Sequence, residues 1–97
     1  MTATEFSRAL STARKLRLNP TDVLALSIIA ERETMNCKEL CAALNSLSAS
    51  VTNIGDRLAE LGYIVRSQHF KDRRSVILTI HASGQAALEK ILNTDPQ

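Results

Sequence analysis

The stretch from residue 48 to residue 80 constrains the fold of this chain more than any other. It begins as a helix-like run, SASVTNIGDRLAELG, and continues as YIVRSQHFKDRRSVILTI. Val51, Ile54, Leu58 and Leu61 recur at helical spacing and predict an apolar stripe over 49–61. Gly62 stands where a helix-ending glycine belongs. Residues 63–68 and 75–80 are rich in Tyr, Ile, Val and Leu and read as two strands. The loop between them, HFKDRR, is basic. A helix followed by a hairpin with a basic loop is the element order of a winged helix-turn-helix.

The upstream sequence supplies the helices that this order needs. Phe6, Leu10, Ala13 and Leu16 predict a helix over 4–17. Asn19, Pro20 and Asp22 form a start signal: a cap, a proline suited to the first helical position, and an acid that reaches back. Leu18 can staple onto Val23. The second helix should run to about Glu33 and bury Val23, Leu24, Leu26, Ile28 and Ile29 in part. Asn36-Cys37-Lys38-Glu39 is a second cap-x-x-acid signal, with Met35 and Leu40 as its staple. It opens a short helix over 37–44 with Leu40, Ala43 and Leu44 inward. Residues 45–48 form a tight connection, and Ser48 caps the next helix. That pair of helices fits the helix-turn-helix pattern. Thr34-Met35 adds a very short strand. After Ser83-Gly84, AALEKIL gives a last helix, and NTDPQ frays. Gly55 inside a helix costs ~1 kcal/mol relative to Ala, so close packing against the second or third helix is expected there.

The expected fold class is mainly α with a small antiparallel β hairpin, in one domain over 1–97. Within it, 1–18 is an N-terminal helix available for dimerisation, 19–81 a DNA-binding core and 82–93 a short C-terminal helix. The chain is 97 residues long with 3% aromatics, so its core must be built from Leu, Ile, Val and Ala. Net charge is +2, but the charge lies in patches. Arg8, Arg14, Lys15 and Arg17 oppose Glu5; Arg66, Lys71, Arg73 and Arg74 oppose Asp72. Such patches create local fields that a bulk count hides.

No apolar run approaches the ~18 residues of a membrane span, and the first residues lack a signal-peptide core. A bacterial or archaeal cytoplasm, at the nucleoid, is the expected location. Cys37 and Cys41 lie four apart on one predicted helix. They read first as small apolar residues. A thiolate favoured at the helix start would give Cys37 a redox role, and metal binding lacks a second ligand cluster. His69 and His81 read as structural or solvated. No nucleophile–base arrangement, carboxylate pair or phosphate loop is present, so neither an enzyme nor a cofactor is expected.

The candidate DNA-binding residues fall in three groups. The exposed face of helix 49–61 carries Ser50, Thr52, Asn53, Asp56 and Arg57, with Ser48 at its start. Small polar side chains there let the backbone approach phosphates. Asn53 suits bidentate readout of adenine, and Arg57 could reach a guanine or a phosphate. In the hairpin loop, Arg74 is the residue expected in the minor groove. Asp72 would hold its guanidinium, and Lys71 and Arg73 would contact phosphates. Asn36 and Lys38, at the start of the third helix, complete the set. The plain alternatives are a solvated helix face and a polar surface hairpin.

These segments resemble the MarR family of bacterial winged-helix regulators. That family shows D-R-L-x-x-x-G-hydrophobic-x-x-R, a D-x-R wing and then L-T-x-x-G. Here the matching positions are Asp56-Arg57-Leu58, Gly62, Tyr63, Arg66, Asp72, Arg74 and Ile80 to Gly84. The resemblance covers about residues 18–90. It implies a dimeric transcription factor on double-stranded DNA, often a repressor released by a small ligand. His81 stands where the family has Thr, which removes a cap from the last helix. The segment after Gly84 is short for the family, so the dimer and the effector site are expected to differ. Phe6, Leu10, Leu88, Ile91 and Leu92 are the apolar material for a homodimer. A winged helix used for protein–protein contact is the alternative function.

Overall fold

In the computed structural model, residues 2–45, 48–68, 71 and 75–92 are described. Five helices and three strands follow one another as α1 (Ala3–Lys15), α2 (Pro20–Arg32), β1 (Thr34–Asn36), α3 (Cys37–Leu44), α4 (Ser48–Glu60), β2 (Ile64–Gln68), β3 (Val76–Ile80) and α5 (Ala82–Leu92). This is the winged-helix architecture that the element order predicts.

Local chemistry sets the helix starts. Thr2, Asn19 and Asn36 each accept a backbone N–H three residues on, and Glu5, Asp22 and Glu39 each reach back to the cap's own N–H. All three are complete capping boxes. Helix α4 starts one position earlier than expected, so Ser48 is its first residue rather than its cap.

Helix α1 ends two residues before the expected Arg17. Arg17 adopts φ 65°. The Leu18 N–H reaches back to the Ala13 carbonyl at 2.8 Å, and that of Arg17 to the Arg14 carbonyl at 3.0 Å. This is a Schellman closure with arginine where glycine usually sits. Asn45 (φ 50°) ends α3 and Gly62 (φ 82°) follows α4 in the same left-handed region.

The strands form one antiparallel sheet in the order β1-β3-β2. Met35 stands opposite Leu78, and Leu78 opposite Arg66. These three side chains leave the same sheet face, because opposed residues share a side. Met35 and Leu78 are buried there together with Leu26, Ile29, Leu40, Val51, Leu58 and Ile91.

Several inward assignments are corrected. Leu24 is 54% exposed. Ala9 and Ala13 face the core from α1, and Ala25, Leu26 and Ile29 from α2. Ala43 is exposed. Leu88 and Ile91 lie in the protomer's own core, so of the five apolar candidates for a dimer only Phe6, Leu10 and Leu92 keep exposed surface.

Helix α5 begins at Ala82, before Gly84 rather than after it. The Nδ1 of His81 accepts the Ser83 N–H at 3.2 Å. A histidine therefore caps this helix, and the expected loss of a cap is not found. Gly84 is buried in the first turn, and a methyl group there would overlap the Tyr63 carbonyl oxygen. Gly55 makes no such close approach. A Cβ on it would lie 3.7 Å from Leu78 of β3, at ordinary contact distance and not against α2 or α3.

Candidate nucleic-acid interface

Helices α3 and α4 form the helix-turn-helix pair. The stripe of Val51, Ile54 and Leu58 is buried, which turns the opposite face of α4 outward. Ser50, Thr52 and Asn53 are exposed on that face. The α4 N-terminus, the positive end of the helix dipole, lies at the same end of the helix as these residues. The Ser48 side chain lies outside the described residues.

Lys38 is exposed in the first turn of α3. Asn36 has a structural task. Its Oδ1 accepts the Glu39 N–H at 2.7 Å, so that acceptor is already engaged. Arg32 reaches Glu39 at 3.6 Å across the α2–α3 junction. Lys71 is exposed. Asp72, Arg73 and Arg74, the wing assignments, lie outside the described residues.

Arg57 is tied to α2. Its Nε donates to Oδ2 of Asp22 at 3.2 Å and its Nη2 to Oδ1 at 2.7 Å. Asp22 is 1% exposed. The same carboxylate accepts the Asn19 N–H at 3.1 Å. One buried acid thus caps α2 and grips α4. The hydrogen bonds to Asp22 raise the Arg57 pKa above its ordinary value; burial opposes them and the carboxylate's charge adds to them. The pair engages Nε and Nη2, while 44% of the Arg57 side chain stays exposed. Arg14 and Arg17 line the same open cleft beside Asp22 and Arg57. Two members of the N-terminal basic patch thus stand beside the Asp22–Arg57 pair.

Asp56, the neighbour of Arg57, pairs with Arg66 of β2. Neither tie was read from the sequence. The only signal was the adjacent Asp-Arg dyad, which marks two opposite charges on one turn without naming their partners.

Cys37 and Cys41 are both half-buried free thiols. Burial pushes the Cys37 thiol up, outweighing the lowering by Arg66, and Cys41 adds to the rise. The thiolate expected at this helix start is therefore disfavoured. No helix among the described residues is long and apolar enough to cross a membrane.

Comparison with known proteins agrees with this architecture. The MarR family model matches residues 18–76. The HTH-type transcriptional regulator YkoM of Bacillus subtilis, itself uncharacterized, is 33% identical over 73 residues, 75% of this chain and 47% of that protein. The HTH-type transcriptional repressor YetL of Bacillus subtilis is 30% identical over 70 residues, 72% of this chain and 42% of its own length. The chain thus spans a little under half the length of the curated relatives it matches. Among solved structures, a mutant MarR from E. coli complexed with operator DNA superposes with a TM-score of 0.78 at 20% identity, covering 93% of this chain and 64% of that one.

Proposed function

The chain belongs to the MarR family of transcriptional regulators, and from that premise we propose that it binds double-stranded operator DNA as a homodimer and represses transcription. Helix α4 enters the major groove, and the loop over 69–74 enters the adjacent minor groove. Two copies then read a pseudo-palindrome with half-sites about one helical turn apart.

One observation carries the reading most directly. The outward face of α4 offers small polar side chains, Ser50, Thr52 and Asn53, on a helix whose other face is fully committed to the core. The E. coli MarR that shares the fold was crystallised with operator DNA. YetL, which shares sequence, is a repressor. Asn53 is the adenine reader in this proposal, Ser48, Ser50 and Thr52 set the close approach, and Lys38 meets a phosphate. Asn36 acts indirectly by holding the start of α3. In the loop, Arg74 inserts, Asp72 orients it, and Lys71 and Arg73 contact phosphates. The exposed Phe6 and Leu92 and the half-buried Leu10 supply apolar surface from each copy to the dimer. The DNA target places the protein in the cytoplasm, at the nucleoid.

The test is selection of duplexes from a random library, followed by titration of the winner and of a scrambled duplex at fixed salt. A tighter complex with the winner, two protomers per duplex and a palindromic consensus are expected. Binding without sequence preference would overturn the operator assignment. No binding at low salt would favour a protein-docking role for the fold.

A further inference from the structure

Two consecutive residues of α4 are anchored to different elements. Arg57 closes on Asp22 at the start of α2. Asp56 pairs with Arg66 in the middle of β2. Successive helical residues point about 100° apart around the axis. By that spacing, Asn53 projects between the directions of Asp56 and Arg57. The two anchors thus flank the proposed reading line, one on each side.

We propose that Asp22–Arg57 and Asp56–Arg66 are positioning contacts for DNA recognition, and that together they fix the rotation of α4 and its offset from the hairpin. This rests on the reading that α4 lies in the major groove. The apolar stripe decides which face of α4 is inside, but side-chain packing alone leaves a helix room to roll. Two ties that diverge around the axis remove that freedom. Arg66 emerges from the sheet face that holds Leu78, the face against which Gly55 of α4 lies. The second tie therefore runs from the helix to the base of the hairpin and sets the separation of the two DNA-contacting elements. Both Asp56 and Arg66 are substantially exposed, with side-chain accessibilities of 51% and 35%. Exposed pairs add little to stability, so the value of this one lies in geometry.

The experiment is a charge-swap cycle measured as the ratio of affinities for a duplex selected by the wild type and for a scrambled duplex. Asp56→Asn and Arg66→Gln should each lower that ratio by roughly tenfold, with unchanged urea midpoints. The swapped protein, Asp56→Arg with Arg66→Asp, should regain most of it. The Asp56→Asn salt slope should match that of the wild type. A swap no better than the two losses combined overturns the proposal. So does a loss confined to the Arg66 variants with a flatter salt slope, which marks a direct phosphate contact. For the other tie, Arg57→Lys keeps the charge but not the two-pronged geometry and avoids stranding Asp22. Its retention of the full ratio would remove Asp22 and Arg57 from the proposal. A wild type without any preference among duplexes would instead defeat the operator reading itself.

Discussion

Asp22 receives both Nε and Nη2 of Arg57, at 3.2 and 2.7 Å, while it also closes the first turn of α2. The two partners are not equivalent. Asp22 is 1% exposed at its side chain and Arg57 44%. Arg57→Ala strands a buried carboxylate and should cost about 2–3 kcal/mol, below the range for fully buried pairs because water can enter. Asp22→Ala removes the acid of the capping box but lets Arg57 turn to solvent, and should cost about 1–2 kcal/mol. Urea unfolding of the two variants checks the order. Equal losses would mean that the buried carboxylate is no worse off without its partner than the exposed guanidinium is.

The two helical glycines of α4 and α5 should respond to alanine with opposite signs. Gly55→Ala meets Leu78 at ordinary contact distance and gains helix propensity, about 1 kcal/mol of added stability. Gly84→Ala drives a methyl group into the Tyr63 carbonyl and should lose about 1–3 kcal/mol despite the same propensity gain. Thermal melting of both variants decides the point, since propensity alone predicts a rise for each.

His81 fills a cap position with a ring nitrogen. His81→Ala should lower stability by about 1 kcal/mol, and His81→Thr, which restores a hydroxyl acceptor, should recover it. A silent alanine variant would mean that α5 is held by its core contacts alone.

The Cys37 thiol should alkylate more slowly at pH 8 than a free cysteine, because burial raises its pKa and the thiolate is the reacting form. The same shift fixes a sign for stability. The folded state favours the neutral thiol, so this contribution is complete below the unfolded value of 9.0 and is lost as pH rises from there through the higher folded value. Alkylation rates against pH, read with Cys41→Ser present, test the shift. Reaction as fast as a free thiol would contradict it.

On the DNA side, Asn53→Ala should weaken binding to the selected duplex by about 1–3 kcal/mol and relax preference at one base pair. Arg74→Ala should cost a similar ~1–3 kcal/mol. Lys38→Ala and Lys71→Ala should weaken all duplexes alike and flatten the salt dependence by about one unit each. Anisotropy titrations at several salt concentrations separate the two behaviours. A sequence-selective loss from either lysine variant would exchange the assigned roles.

How far the sequence foretold these features follows from their physics. The caps at Asn19 and Asn36 are local: acceptor and acid stand three residues apart, and that spacing is visible in the chain. Thr2 and Glu5 carry the same signature, but the apolar spacing that reveals the helix begins only at Phe6. The ends of β2 and β3 lie within a residue of expectation, since Gly62 and the loop polarity bracket them. The exposed Leu24 was not foreseeable from periodicity. The run VLALSIIA is apolar nearly all around the helix, so no stripe singles out the residue left outside. The Arg57 anchor lies 35 positions from its partner, beyond any local pattern. Read on its own helix, that guanidinium looks like a ligand for DNA. Gly84 was legible as a family position but not as a contact, because its neighbour is the backbone of a distant turn.

The left-handed arginine at position 17 has a mechanical consequence. Its closure onto Arg14, with Leu18 bonded back to Ala13, leaves only Leu18 and Asn19 before α2 begins, and both are tied down, one by burial and one by the capping box. No soft joint separates the first helix from the second, and Asp22 then clamps the second to the fourth. The three helices form a stiff crank. Through that closure and that clamp, the helix that carries Asn53 takes its bearing from the amino-terminal arm.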